Sequence, residues 1–239
     1  MICCSNEVIA QQFGRESAEE ELDRYRREGP LPTTQALIRA LVARGVSDTE
    51  VLDIGAGIGA IHHALLKQGA RRAVHVDISS DYVEVARAEA ERIGHANRVQ
   101  FVQGDFVAVA PEIEAADIVT LDRVICCYAD MESLVTRSAE RARRLYAAVY
   151  PRDRLWVRIG IVLLNVGKAL RRSEFRSYFH APQRIDQLLR AFGFDRGSTQ
   201  RTWFWEVVVY VRRAAAGSPV LADSRDPSRS SATGAQRER

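Results

Sequence analysis

The sequence predicts an α/β fold in which a doubly wound, mostly parallel sheet is covered by helices on both faces. Short apolar runs typical of buried strands alternate with longer segments whose apolar residues recur at helical spacing. Strands that alternate with helices along a chain form parallel sheets, because each helix carries the chain back across one face. With 239 residues, of which 46% are hydrophobic, the chain can bury the core of one such domain.

The first unit is a strand, a glycine-rich turn and a helix, written VLDIGAGIGA and then IHHALLKQ. Val51 and Leu52 are typical of the end of a buried strand, and Gly55, Gly57 and Gly59 permit a sharp turn close to a ligand. The alternation continues through AVHVD (73–77), DYVEVARAEAERI (81–93), RVQFVQGD (98–105), ADIVTLD (116–122), MESLVTRSAERAR (131–143) and LYAAVY (145–150).

Two helices are predicted ahead of this core, so residues 1–45 are expected to form an N-terminal helical cap. The first opens with a capping box from Ser17 to Glu20 and stops before Gly29. The second, QALIRALVAR, is expected to have Thr34 as its cap and to end at Gly45.

The main domain is predicted to cover residues 46–213. Near its end, APQRIDQLLRAFGF has helical spacing, and RTWFWEVVVYVRR holds two extended runs expected to add an antiparallel hairpin to the sheet edge. Residues 155–179 form an apolar and then basic insertion that is too short to span a bilayer. Residues 214–239 contain almost no large aliphatic side chains and are predicted to be a disordered tail.

The four cysteines form two adjacent pairs, Cys3–Cys4 and Cys126–Cys127, without the spacing of a zinc finger or a thioredoxin-like site. Free thiols are therefore favoured over a four-thiolate metal site, and no metal is predicted. The N-terminus lacks a basic segment followed by an apolar run, so a signal peptide is not expected and a cytoplasmic location is the default.

A mild net charge of +3 conceals a basic stretch. From Arg137 to Arg184 there are 12 lysine and arginine residues against three acidic residues. Such a surface can attract an anionic substrate, a membrane surface or nucleic acid, or it can simply be solvated. The sequence leaves these two interpretations open.

The glycine turn fits two classes of cofactor. Gly55, Gly57 and Ala60 match the Gly-x-Gly-x-x-Ala fingerprint of dinucleotide sites, which hold a pyrophosphate. Asp53, however, stands two residues before the first glycine, and a carboxylate ~4 Å from a like charge costs roughly 4 kcal/mol at an effective dielectric near 20. With a cationic ligand the same carboxylate gives attraction instead of repulsion. Asp53 therefore favours S-adenosylmethionine, whose ammonium it can bind directly or through water.

Four motifs in order resemble the class I S-adenosylmethionine-dependent methyltransferases over about residues 20–213: VLDIGAGIG, the acid closing AVHVD, QGDF and LDRVICCY. The resemblance implies a Rossmann-like, seven-stranded sheet with an antiparallel C-terminal strand. It places Asp53 near the ammonium, Asp77 on both ribose hydroxyls, and Asp105 with the Phe106 amide on adenine. The implied cofactor-binding residues are Asp53, Gly55, Gly57, Asp77, Ile78, Gly104, Asp105, Phe106 and Asp122.

The acceptor is less well specified. No Asn/Asp-Pro-Pro-Tyr or Pro-Cys motif of nucleic-acid methylation follows the fourth strand, and the order of YRREGP, LDRVICCY and HAPQRIDQLLRAFGF is similar to the magnesium-protoporphyrin methyltransferases. That likeness implies methyl transfer to an oxygen or nitrogen of a small lipophilic or acidic metabolite. The alternatives are a nucleic-acid methyltransferase and a non-catalytic S-adenosylmethionine-binding protein.

Three side chains are candidates for work on the acceptor. Tyr128 and His180 are the polar residues expected on its side of the site, and Arg123 could bind an acceptor carboxylate. The insertion at 155–179 follows the fifth strand and is predicted to be a mobile lid over the acceptor, because ligands bind beyond the carboxyl ends of such strands.

Overall fold

Seven strands form one mixed sheet in the computed structural model, which describes residues 8–9 and 12–214. The strands are β1 (Glu50–Ile54), β2 (Arg72–Asp77), β3 (Val99–Gln103), β4 (Ala116–Asp122), β5 (Ala142–Pro151), β6 (Phe194–Arg201) and β7 (Trp205–Arg212). Their order across the sheet is β3-β2-β1-β4-β5-β7-β6, in which β1 to β5 are parallel and β7 runs antiparallel to both of its neighbours. The predicted fold class is confirmed.

Eight α-helices of the described residues lie between and around these strands. They are α1 (Arg15–Glu28), α2 (Pro32–Val42), α3 (Ala60–Lys67), α4 (Ser80–Arg92), α5 (Phe106–Val109), α6 (Met131–Glu140), α7 (Leu155–Leu170) and α8 (Pro182–Ala191). Each of the two large apolar cores takes side chains from a different set of these helices. Leu37 of α2 and Leu65 of α3 belong to one core, whereas Leu134 of α6 and Leu189 of α8 belong to the other. β1, between β2 and β4, is buried along its whole length.

The two N-terminal helices are present, but both predicted caps are wrong. α1 begins at Arg15 after Gly14, so Ser17 lies inside the helix and makes no cap. α2 begins at Pro32, which suits the first position of a helix because it lacks the amide hydrogen that would be unsatisfied there. Thr34 is therefore buried two residues past the start, and its hydroxyl donates to the Asp122 carboxylate instead.

The C-terminal hairpin is confirmed, with a longer first strand than expected. β6 starts at Phe194, directly after Gly193, whereas the sequence placed both strands near Arg201–Arg213. β7 carries the buried run Val207–Tyr210 and lies between β5 and β6, so the polar strand β6 forms the edge. Helix α6 ends at Glu140 rather than Arg143, because Ala142 already begins β5.

The insertion forms helix α7 followed by an irregular segment, residues 171–181, that leads to α8. The predicted disorder of 215–239 and the pair Cys3–Cys4 lie outside the described residues. Within the described ranges, no helix is both long and apolar enough to cross a membrane.

Candidate active site

A cavity of about 380 Å³ opens at the carboxyl ends of β1, β2, β3 and β4. This is the edge at which open α/β sheets hold ligands, since the loops that leave parallel strands meet there. The nine residues predicted to bind the cofactor all line this cavity: Asp53, Gly55, Gly57, Asp77, Ile78, Gly104, Asp105, Phe106 and Asp122. Their individual roles stay predictions, but the fold brings all of them to one place.

The glycine loop needs glycine for two separate reasons. Gly55 and Gly57 have φ angles of +59° and +56°, a region that favours glycine. A Cβ on Gly55 would also lie 2.5 Å from Cγ2 of Val124, so the loop after β4 packs directly on the first glycine. At Gly57 the backbone amide donates to Oδ2 of Asp77 at 2.9 Å. The loop is thereby tied to the end of β2.

Asp77 is a buried carboxylate at the end of β2. It accepts hydrogen bonds from the backbone amides of Gly57 and Ser79, each at 2.9 Å. Burial nevertheless raises its pKa to about 6, because the two amides offset only part of the cost of desolvating the charge. Asp77 is thus ionised at neutral pH and becomes protonated in mildly acidic solution.

Asp53 is almost completely buried at the end of β1, and both of its carboxylate oxygens have partners. Oδ2 lies 2.9 Å from Nδ1 of His62, and Oδ1 accepts the hydroxyl of Thr120 at 2.6 Å. An ionised carboxylate can accept about four hydrogen bonds, so these two partners orient Asp53 without exhausting it. His62 was not among the predicted site residues. The signal for it was the His62–His63 pair directly after the glycine loop.

His62 belongs to a cluster of four histidines behind the glycine loop. Its ring lies 4.3 Å from that of His63 and 5.4 Å from that of His75, and His63 is 5.4 Å from His95. Neither ring nitrogen of His75 has a hydrogen-bond partner. Burial lowers the pKa of His63 to about 2 and that of His75 well below its ordinary value. Across the described ranges, no group of His, Cys, Asp or Glu side chains is arranged to hold a metal ion.

Asp105 stands between β3 and α5 and has two kinds of partner. Its carboxylate accepts the amide of Val107 at 3.1 Å, which caps α5, and the hydroxyl of Tyr128 at 2.8 Å. Burial and the neighbouring carboxylate raise the pKa of Tyr128 above that of a free phenol. Tyr128 therefore stays protonated and donates to Asp105, an arrangement that suits positioning rather than proton removal.

Asp122 and Arg123 follow β4 and both line the cavity. The Asp122 carboxylate accepts the Thr34 hydroxyl from α2 and, at 3.2 Å, Nε of Arg123. Arg123 has a φ of +62°, and its amide donates to the carbonyl of Val149 in β5. The bend holds the guanidinium at the wall of the cavity, about one-third exposed.

The two cysteines and His180 differ in their position relative to the cavity. Cys126 and Cys127 are free thiols whose sulfurs are 3.9 Å apart, and both line the cavity. His180 does not line it. Its Nε2 lies 2.9 Å from the carbonyl oxygen of Tyr128, so the ring links the segment before α8 to the loop after β4. Burial lowers the pKa of His180, and its catalytic role stays a prediction.

The cavity carries an excess of negative charge. Its lining contains five acidic side chains and two arginines, Arg24 and Arg123. The acids are Glu21, Asp53, Asp77, Asp105 and Asp122. Such a lining repels the pyrophosphate of a dinucleotide and attracts a ligand that bears an ammonium and a sulfonium. The residues present therefore fit S-adenosylmethionine.

Comparison with known proteins agrees with this chemistry. A family model described as a methyltransferase domain matches residues 51–147, which run from β1 into β5. Residues 51–147 of this chain are thus similar in sequence to a methyltransferase domain. S-adenosylmethionine is the cofactor of this domain.

The class I methyltransferase fold extends beyond the matched segment. Magnesium protoporphyrin IX methyltransferase from Synechocystis PCC 6803, solved with bound SAH, superposes with a TM-score of 0.67 and 22% identity over 87% of this chain and 100% of that one. A putative sarcosine dimethylglycine methyltransferase from Galdieria sulphuraria superposes with a TM-score of 0.62 and 15% identity over 78% of this chain and 87% of that one. At these identities the likeness is one of fold.

Curated relatives are similar over a shorter stretch. Ribosomal protein L11 methyltransferase from Escherichia coli O8 is 34% identical over 92 residues, which are 38% of this chain and 30% of that protein. The protein of the same name from Haemophilus influenzae PittEE is 36% identical over 77 residues, 32% of this chain and 26% of that one. The chain thus spans less than a third of the length of these relatives.

Proposed function

We propose that this protein transfers a methyl group from S-adenosylmethionine to an oxygen or nitrogen of a small lipophilic or acidic metabolite. One observation carries the proposal: the residues predicted to bind the cofactor all line a single cavity, and five of the seven charged side chains in its lining are acidic. S-adenosylmethionine supplies a methyl carbon already activated by the adjacent sulfonium.

Each carboxylate has a distinct task in this proposal. Asp77, ionised at neutral pH, accepts both ribose hydroxyls. Asp105, held by the Val107 amide and the Tyr128 hydroxyl, accepts the exocyclic amine of adenine. Asp53, oriented by His62 and Thr120, binds the ammonium directly or through a water molecule. Gly55 and Gly57, which line the same cavity, lie against the methionine part.

Methyl transfer is an in-line displacement, so the protein contributes mainly alignment and the exclusion of water. A carboxylate acceptor needs no base at neutral pH. Tyr128 is unsuited to be one, because its proton is engaged with Asp105 and its pKa is raised. This combination favours an acceptor that is already nucleophilic, such as a carboxylate.

The rest of the cavity supports an acceptor with an apolar body and an anionic group. Phe13, Tyr25 and Leu31 supply apolar wall from the N-terminal segments, and Trp205 adds to it from β7. Arg123, which contacts Asp122 through Nε, also lines the cavity and is the proposed partner for the acid. The fold of an enzyme named for magnesium protoporphyrin IX supports planar carboxylic acids as the first acceptors to test.

Calorimetry and product detection test this proposal in two steps. Titration with S-adenosylmethionine, S-adenosylhomocysteine and NADH should give binding for the first two and none for NADH. A screen with methyl-labelled cofactor should then label a planar carboxylic acid and leave RNA and ribosomal protein L11 unlabelled. Binding of NADH alone would overturn the cofactor assignment, whereas labelling of RNA or L11 would replace the small acceptor.

A further inference from the structure

Helix α7 exposes a continuous apolar strip. Only Val157 and Ile161 of this helix are buried. Large apolar side chains between 37% and 81% exposed cover the opposite side: Leu155, Trp156, Ile159, Val162, Leu163, Leu164, Val166 and Leu170. Most of them recur three or four residues apart, which places them on one face. Trp203, 76% exposed, stacks on Trp156 with ring centroids 4.2 Å apart and extends the strip beyond the helix.

This α7 strip, defined as those eight residues and Trp203, holds all the exposed large hydrophobic side chains of the described ranges. Single exposed hydrophobic residues are common on protein surfaces, but a contiguous patch marks a surface that is covered by something else.

Basic residues stand at both ends of the α7 strip. Arg154 precedes the helix, and Arg171 and Arg172 follow it; all three are exposed. No acidic residue occurs between Arg154 and Arg172. The two other basic residues of the helix have partners, since Arg158 pairs with Asp153 and Lys168 donates to Ser177. The ends of the strip therefore carry an excess of positive charge, since three exposed arginines stand against Asp153, which pairs with Arg158, and Glu174.

We infer that the α7 strip docks on the surface of an anionic lipid bilayer. A helix with one apolar face, exposed arginines at its ends and tryptophan at its border has the properties of an interfacial helix, which lies in the headgroup layer. The arginines then meet lipid phosphates, and each basic residue near such a surface contributes attraction. With 16 residues α7 is too short to cross the bilayer, so it lies along it. This inference does not depend on the proposed function.

The buried side of α7 connects this surface to the cavity. Asn165 donates from Nδ2 to the carbonyl of Ser177 at 2.7 Å and accepts the Ser177 amide at 2.9 Å. Ser177 itself lines the cavity. Docking through the α7 strip consequently places one wall of the cavity close to the bilayer, where a lipophilic acceptor is concentrated.

Vesicle flotation of the full chain tests the inference. We compare vesicles of phosphatidylcholine with vesicles of phosphatidylcholine mixed with phosphatidylglycerol. The protein should float with the anionic vesicles, and more salt should weaken binding because it screens the arginines. Ile159→Gln/Leu163→Gln should raise the lipid concentration for half-binding at least about tenfold, since two apolar side chains leave the interface.

A charge variant and its matched control separate local from general electrostatics. Arg171→Gln/Arg172→Gln should weaken binding, whereas Arg39→Gln/Lys67→Gln removes the same charge from exposed positions on α2 and α3 and should not. Tryptophan fluorescence of the unaltered protein should also shift to the blue on anionic vesicles, because Trp156 and Trp203 leave water. That measurement needs no variant and covers the case in which one fails to fold.

Two results would overturn the inference. The first is no flotation, or flotation that the Ile159/Leu163 variant leaves unchanged. The second is a concentration-dependent dimer in light scattering that the same variant abolishes, with no vesicle binding, which would assign the α7 strip to a second copy of the chain.

Discussion

Asp77 combines burial, two backbone donors and a raised pKa, and it is the residue on which cofactor binding should depend most. We predict that Asp77→Ala weakens S-adenosylmethionine binding at least about tenfold, because two ribose hydroxyls lose their acceptor on desolvation. Calorimetry at about pH 7.5 measures the change, because Asp77, with a pKa of about 6, is ionised there.

The matched control is Glu112→Ala, which removes an exposed carboxylate that does not line the cavity. It should leave the affinity unchanged. Equal affinities of Asp77→Ala and the unaltered protein would show that the ribose is held elsewhere.

The same residue predicts how binding depends on pH. Burial raises the pKa of Asp77 to about 6 in the free protein, so a falling pH protonates one of its oxygens and turns that oxygen from an acceptor into a donor. The affinity for S-adenosylhomocysteine should be constant above pH 7 and fall below about 6, approaching a tenfold loss per pH unit if only the ionised form binds. In Asp77→Asn, binding should be weak at every pH and the affinity should not change with pH. A profile that persists in Asp77→Asn would assign the titration to another group.

At the scale of elements, the two parts of the insertion at 155–179 differ in their position relative to the cavity. Helix α7 itself contributes nothing to the lining of the cavity, and Ser177, in the segment after it, is the residue of the insertion that does. The proposed lid is therefore expected to be the segment 171–181. Two hydrogen bonds between Asn165 and Ser177 hold it to α7, and the Tyr178 amide and the His180 ring bind carbonyls of the loop after β4.

We predict that residues 171–181 exchange amide hydrogens quickly in the free protein and gain protection when S-adenosylhomocysteine and acceptor are bound, as a lid does. Asn165→Ala should speed their exchange further, because the Ser177 amide loses its acceptor. Its affinity for S-adenosylhomocysteine should be unchanged, since Asn165 does not line the cavity.

Hydrogen exchange read by mass spectrometry distinguishes the alternatives. Slow exchange of residues 155–179 in the free protein, with no response to ligands, would mean that the insertion is a static wall. The acceptor would then be sought under the N-terminal helices, near Tyr25.

For the whole molecule, the histidine cluster links stability to pH. His63 and His75 have lowered pKa values in the folded state, so they stay neutral there while the unfolded chain binds protons below about pH 6.5. A group of this kind destabilises the fold as pH falls through its unfolded pKa, by about 1.4 kcal/mol per pH unit for each histidine. The free energy of unfolding should therefore decline steeply in acid.

His75→Leu isolates one contribution, because both ring nitrogens of His75 are buried without partners. We predict that its stability relative to the unaltered protein improves by roughly 2 kcal/mol between pH 7.5 and pH 5. Urea unfolding at the two pH values gives the difference. Asp77 titrates in the same range, but it is present in both proteins and cancels. A stability difference that does not vary with pH would mean that His75 is charged or solvated in the fold.

The strand ends were predictable from the sequence because their signal is local. Apolar runs, the glycine loop and a closing acid recur within a few residues of one another, so β1, β2, β4 and the residues Asp53, Asp77 and Asp105 followed from the chain alone. The predicted starts of the two N-terminal helices were wrong, because neighbouring residues and tertiary contacts compete to decide where a helix begins. Ser17 has the right residue type for a cap, but the helix had already begun at Arg15, and Thr34 bonded to Asp122.

What only the tertiary structure decided are contacts between residues far apart in sequence. The pairing of Asp53 with His62, the support of Asp105 by Tyr128 and the placing of Ser177 at the cavity each join separate elements. The α7 strip is the clearest case. The sequence by itself determined that this helix is apolar with arginines at its ends, but not which side is covered. Burial depends on what the fold packs against a helix, and here the fold covers Val157 and Ile161 and leaves the opposite face to solvent.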